Sequence, residues 1–237
     1  MMKTLLWRGM LAGLAGAFAA ATFALLFAEP RIDAAIALES RHAMAGMAAE
    51  PELVGRAVQK TWGLFTAMGL YGTALGGLFA IVFGGLYGRV GQTAPRTLAL
   101  TLAIAAFVVV VLVPAIKYPP TPPAVGLHET VRLRTAAWFA MLALSIAAAV
   151  AAGRLQRVMA ARVAATDRLM IAGGAYVAIV AAGQLLLPSI DEVPADFPAT
   201  LLWQFRLAAI ATQAVFWLVA ADLFGRAASR IVEWNRP

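Results

Sequence analysis

Glu39 and His42 stand three residues apart in the stretch ALESRHAM, which follows the first long apolar run of the chain. On a helix that spacing puts a carboxylate and an imidazole on one face, and Glu-x-x-His is a working ligand pair in di-metal carboxylate bundles. Glu29 and Asp33 lie just upstream and add carboxylate oxygens, Glu50 and Glu52 follow downstream, and Met44 and Met47 offer thioethers. Imidazole, carboxylate and thioether together suit a borderline divalent transition ion better than Mg2+ or Ca2+. Glu29, Asp33, Glu39 and His42 are therefore the candidate metal ligands. The same spacing also fits an amphipathic helix lying at a membrane interface, with Glu39 and Arg41 merely solvated.

A second group of charges sits at the edges of apolar runs. Lys117, Arg134 and Arg206 fall at or just inside such edges, and Asp33, Asp191 and Asp196 are available as counter-ions. Ionisable groups at a hydrocarbon boundary usually face a partner or a wet cavity, although long cationic side chains also snorkel to the headgroups. We expect Lys117, Arg134, Asp191, Asp196 and Arg206 to form charge pairs around a vestibule. Asp222, near the end of the last run, either serves an ion pathway or pairs with Arg226 at i+4.

The elements that must position these groups are membrane spans. Of 237 residues, 62% are hydrophobic and only 13% charged, against about half and about a quarter in ordinary soluble domains. Six apolar segments, at about 5–28, 62–87, 97–116, 135–153, 169–187 and 201–224, each approach the ~20 residues a spanning helix needs. This predicts an all-α integral membrane protein with about six transmembrane helices in one domain, and an outer loop over 29–61 that reads as helical from about Arg31. The first segment has a core too long for the usual 7–15-residue apolar core of a signal peptide, so we expect it to be retained.

The charges orient the spans. With the N-terminus inside, the inner segments hold eleven basic residues against three acidic ones, and the outer segments eight against nine. The positive-inside rule then puts both termini in the cytoplasm, and the net charge of +7 needs no nucleic acid to explain it. The absence of cysteine excludes disulfides, zinc–thiolate sites, iron–sulfur clusters and thiol catalysis. No phosphate-binding loop, nucleophile elbow or HExxH pair is present, so the chain does not read as an enzyme.

Three outer span ends share the form P-x-I-charge, in PRID at Pro30, PAIK at Pro114 and PSID at Pro188. The spans that return begin near Lys60, Arg134 and Arg206 and end in Gly-Arg pairs. This suggests three parallel helical hairpins about a pseudo-threefold axis, as in transporters with parallel repeats, although basic residues and glycines at inner ends also follow from simpler rules. Gly9/Gly13, Gly72/Gly76 and Gly84/Gly88 are G-x-x-x-G pairs, fitting either a close-packed bundle or the interface of a homo-oligomer.

EPRIDAAIALE after the first span, KYPPTPPAVG after the third and VPADFPATLLWQFRLAAIATQ at the entry to the last resemble the CbtA family of predicted cobalt transporter subunits. The resemblance runs in order and spacing over essentially the whole chain. It implies a protein of the bacterial inner membrane that takes up Co2+ for corrinoid synthesis, with Co2+ as the transported ion and no permanently bound cofactor. It further implies a partner, CbtB, a small single-span subunit with a histidine-rich end, whose ligands would account for the scarcity of histidine here. The expected function is thus the membrane component of a divalent transition-metal uptake system, with entry at the outer face. The alternative is a non-transporting scaffold that assembles such a complex.

Overall fold

The computed structural model describes residues 2–43, 54–89 and 93–234. Met44, Met47, Glu50 and Glu52 lie outside the described residues. The chain is 85% helical, and no strand occurs among the described residues. Seven helices follow in order: α1 (Met2–Phe27), α2 (Glu29–Ala43), α3 (Arg56–Leu86), α4 (Pro95–Lys117), α5 (Val131–Ala161), α6 (Ala165–Leu186) and α7 (Ala199–Trp234). All but α2 are long and apolar enough to cross a membrane.

Several helices outrun the expected spans. α5 continues through Arg154 and Arg157, and α7 through Arg226 and Arg230. Charged residues at these ends stay helical because the backbone keeps its hydrogen bonds while the long side chains reach toward water. α2 covers the first part of the segment 29–61 and starts at Glu29, two residues before Arg31. Its Pro30 occupies the first turn, where a missing N–H costs nothing, and Glu29 is favoured by the positive end of the helix dipole.

The described residues group into two compact units. The first contains α1, α2, α3, the first half of α4 and α7, together with Pro122–Ala124 of the proline loop. Lipid offers no apolar drive for helix association, so close backbone approach must supply the contact energy. α1 meets α3 through Gly9 and Gly13 against Gly72 and Gly76, and a Cβ on Gly76 would sit 2.8 Å from the Cα of Gly13. α7 packs on α1 where Gly16 faces Phe216 and Ala220, and Gly225 lies on Arg96 and Ala99 of α4. At one end, Phe83 and Phe224 meet edge to face at 5.0 Å between ring centroids.

The second unit, Val108–Thr121 and Val125–Phe197, holds the rest of α4, then α5 and α6 with the loop segments that adjoin them. α5 packs on α6, with Gly183 leaving room for Leu144 and Met141. The division between the units falls at Phe107, where α4 changes to a π-helical segment, Phe107–Leu112. Pro114 explains the change, since it lacks an N–H and its ring crowds the carbonyl of Val110. Neighbouring side chains bond the irregular backbone: Ser145 Oγ donates to Val109 O at 2.7 Å and Gln184 Nε2 to Val113 O at 3.3 Å. A polar backbone group in hydrocarbon is tolerated only with such partners.

The contacts do not show a threefold arrangement of hairpins. α7 packs on α1 and on the first half of α4 within the first unit, while α5 and α6 pair with each other in the second. The three P-x-I-charge corners also differ in backbone. Pro30 opens α2, Pro114 lies in the last turns of α4, and Pro188 follows the end of α6 in extended chain.

The α1–α3 crossing yields a direct test. Gly76→Leu should lower the thermal unfolding midpoint in detergent by an amount equivalent to roughly 3 kcal/mol, the upper range for overpacking. Gly85→Leu, at a position where an added Cβ would meet no atom within 4 Å, should leave the midpoint unchanged.

Candidate functional site

In the first unit, helical spacing builds a four-membered ion-pair network. Glu29 and Asp33 are i,i+4 on α2, and Arg56 and Lys60 are i,i+4 at the start of α3. Each pair therefore presents one face to the other. Arg56 Nη2 bonds Glu29 Oε2, Arg56 Nε lies 3.0 Å from Asp33 Oδ1, and Lys60 Nζ lies 3.1 Å from Asp33 Oδ2. Glu29 is buried, only 7% exposed, with Arg56 as its ion-pair partner. Desolvation pushes the Asp33 carboxyl upward, but hydrogen bonds from Lys60 and Arg56 and their charges outweigh it, leaving the group below its ordinary 3.8.

The other two candidate ligands lie further along α2. Glu39 is exposed and six residues past Asp33, about 240° around the helix at 3.6 residues per turn. It is therefore not on the face that meets Arg56 and Lys60. His42 lies within α2, and its side chain is outside the described residues. Among the described residues, no three histidine, aspartate or glutamate side chains gather as a metal-ligand set. The structure thus brings Glu29 and Asp33 together, each with a cationic partner.

In the second unit, the two proline-rich loops are tied to each other by polar contacts. Lys117 Nζ donates to Gln184 O at 2.7 Å and to Ser189 Oγ at 3.3 Å. It thereby serves a carbonyl in the last turn of α6, where a cation is favoured by the helix dipole. Tyr118 OH donates to Pro188 O at 2.7 Å. Arg134 pairs with Glu192 at 3.3 Å. Glu192 Oε2 also accepts the Leu127 N–H at 2.9 Å, and the Thr130 hydroxyl, which donates to Leu127 O at 3.0 Å, lies beside the same carboxylate. Gly126 has φ +110°, and a Cβ there would land on the Arg134 guanidinium. Only glycine combines that backbone conformation with that contact.

The remaining charges are placed as follows. Asp191 Oδ1 makes a long 3.5 Å contact with Val193 N, and Asp196 lies in a turn closed by Phe197 N–H to Pro194 O. Arg206 is half-buried on α7 in the first unit, and its Nε has no hydrogen-bond partner. Asp222 pairs with Arg226 at 2.8 Å, the i+4 pair read from the sequence, and also with Arg96 Nε at 2.9 Å.

Sequence reasoning missed two residues that organise these sites. Arg56 was legible in principle, because Arg56/Lys60 repeats the i,i+4 spacing of Glu29/Asp33 with opposite charge. Glu192 carried no signal, since nothing in DEV tells which of two adjacent acids turns toward Arg134.

The family model described as "Probable cobalt transporter subunit (CbtA)" matches residues 2–229 of the chain. The chain belongs to the CbtA family. No curated protein and no solved structure matches it. Membership makes this CbtA-family chain a membrane component of a cobalt transporter and a subunit that works with partners. It is a family of transporter subunits.

The Glu192 clamp of this CbtA-family chain has a defined pH dependence. The Thr130 hydrogen bond most of all, then the Leu127 N–H and the Arg134 charge, hold its carboxyl below the ordinary 4.5 against desolvation. A lowered folded pKa means the contribution is whole above 4.5 and is lost as pH falls through the folded value. Protection from hydrogen exchange at 126–134 and 188–197 should therefore fall between pH 6 and pH 3.5 in the wild type. In Glu192→Gln it should change far less with pH over the same interval.

Proposed function

We propose that the chain moves Co2+ inward across the bacterial inner membrane, with the ion entering at the outer face over α2. Family membership across residues 2–229 carries this reading, and the paired carboxylates of Glu29 and Asp33 give it a location. In this reading the two carboxylates are oriented by Arg56 and Lys60 until the metal arrives. One divalent ion then replaces two monovalent cations, so charge stays balanced as Arg56 and Lys60 turn to water and headgroups. Glu39 and His42, further along α2, would meet the ion on its approach. Lys117, Arg134, Asp191 and Asp196 would set the electrostatic potential at the loops of the second unit, and Arg206 would contribute to that of the first. The membrane potential favours inward movement of a cation by about 2.3 kcal/mol per charge per 100 mV.

The positive-inside distribution supports cytoplasmic termini in this reading. A small single-span, histidine-rich subunit of the CbtB kind is the expected partner, supplying the imidazole ligands that this chain lacks.

Uptake of 57Co2+ by cells carrying both proteins tests the proposal. Asp33→Ala combined with Glu39→Ala should cut uptake at least tenfold at normal protein levels, and unchanged uptake would remove the site assignment. Lys60→Met, which takes away a competing cation, should lower the Co2+ concentration for half-maximal uptake. Reconstitution with and without the single-span subunit separates a transporter from a scaffold, because a scaffold moves no metal in either condition.

A further inference from the structure

The turn between α5 and α6 gathers positive charge that the second unit does not neutralise. Arg154 and Arg157 stand three apart in the last turns of α5, Arg162 lies in the turn, and Arg168 stands near the start of α6. Residues 162–164 alone separate the two helices, so all four arginines stay at one end of the pair. Arg154, Arg157 and Arg162 are exposed and Arg168 is half-buried. Among the described residues, none of the four side chains makes a hydrogen bond or an ion pair. The acid nearby, Asp167, lies in the first turn of α6, where the helix dipole favours it.

The first unit treats its arginines differently. Arg96 of α4 and Arg226 of α7 share the Asp222 carboxylate, which ties two helix ends together. Arg89 donates to the Gly85 carbonyl. In the second unit no carboxylate among the described residues joins the ends of α5 and α6. Snorkelling brings single arginines to water, but guanidiniums crowded about a short turn repel one another unless an anion stands among them. The neighbouring side chains Val158, Leu169 and Met170 are apolar and strongly exposed. A ligand that suits both groups has an anionic head and an acyl body, whereas a soluble anion offers nothing to the apolar three.

We propose that the α5–α6 turn binds the phosphodiester headgroup of an anionic phospholipid, through Arg154 and Arg157 of α5 together with Arg162 and Arg168. Guanidinium presents paired N–H donors that match phosphate oxygens, and basic clusters at the ends of spans draw anionic lipid. The phosphate then does in the second unit what Asp222 does in the first, joining two helix ends through one shared anion. α6 has the smallest buried share of the six spans, so the lipid supplies a contact that protein packing does not. The inference is independent of the transported ion and is measured without metal.

Native mass spectrometry of the full chain, released from detergent holding equal phosphatidylglycerol and phosphatidylcholine, tests it. The wild type should retain phosphatidylglycerol about tenfold over phosphatidylcholine, and raising the salt from about 0.1 to 0.5 M should reduce that preference severalfold. Arg157→Gln with Arg162→Gln should remove most of the preference. Arg41→Gln with Arg132→Gln, which takes the same charge from two exposed arginines elsewhere, should leave it intact. Added phosphatidylglycerol should also slow hydrogen exchange at 159–168 in the wild type. Absence of a preference in the wild type overturns the proposal, even if the Arg157/Arg162 variant fails to fold. So does an equal loss in both double variants, which reduces the effect to net charge, or no slowing of exchange at 159–168, which places the lipid elsewhere. Displacement of the lipid by inorganic phosphate also overturns it, by assigning the cluster to a soluble anion.

Discussion

Lipid exerts no apolar pull between helices, and the first unit is organised around that constraint. α1 and α3 associate because four glycines let two backbones come closer than any side chain would allow. Dispersion across that short distance replaces the burial energy of a soluble core. α7 packs beside that crossing, again through a small residue, with Gly16 of α1 against Phe216 and Ala220 and with Phe216 also reaching Gly72 of α3. Toward one end Phe79, Phe83 and Phe224 are buried against one another edge to face.

The second unit meets a different form of the same solvent problem. Pro114 forbids a regular helix, and hydrocarbon forbids an unpaired carbonyl, so partners must come from other helices. Ser145 and Gln184 are those partners, one from α5 and one from α6. Tyr176 OH, 3.0 Å from Ser145 Oγ, adds a second hydroxyl to the same place. The irregularity in α4 is therefore what ties three helices together by hydrogen bonds, in a unit where α6 buries little else.

Charges follow a related rule at the membrane surface. Glu29, Asp33 and Glu192 are buried or half-buried, and each is held by a basic residue from another element. The geometry at α2 follows from helix periodicity alone, since two i,i+4 pairs of opposite sign match face to face. At Glu192 it follows from loop conformation, with one glycine of positive φ as the enabling residue.

The six spans and the family were legible in the residues, because hydrophobic length and proline position are properties of a linear chain. The Asp222–Arg226 pair was legible for the same reason, being local to one helix. The partners of Glu29, Asp33, Arg134 and Lys117 were not, because a charge finds its counter-ion through distance in space. Asp191, Glu192 and Asp196 look alike in the sequence, and only the folded loops turn Glu192 inward to Leu127, Thr130 and Arg134. The repeated P-x-I-charge corners illustrate the same limit: two are helical, at Pro30 and Pro114, and one is not, at Pro188, since proline restricts φ but leaves ψ to the surroundings. Residue order alone settles which segments enter the bilayer and which residues are charged at its edge. Folding in three dimensions selects which of those charges are already neutralised and which are left free, because only it sets the distances on which Coulomb and hydrogen-bond energies depend.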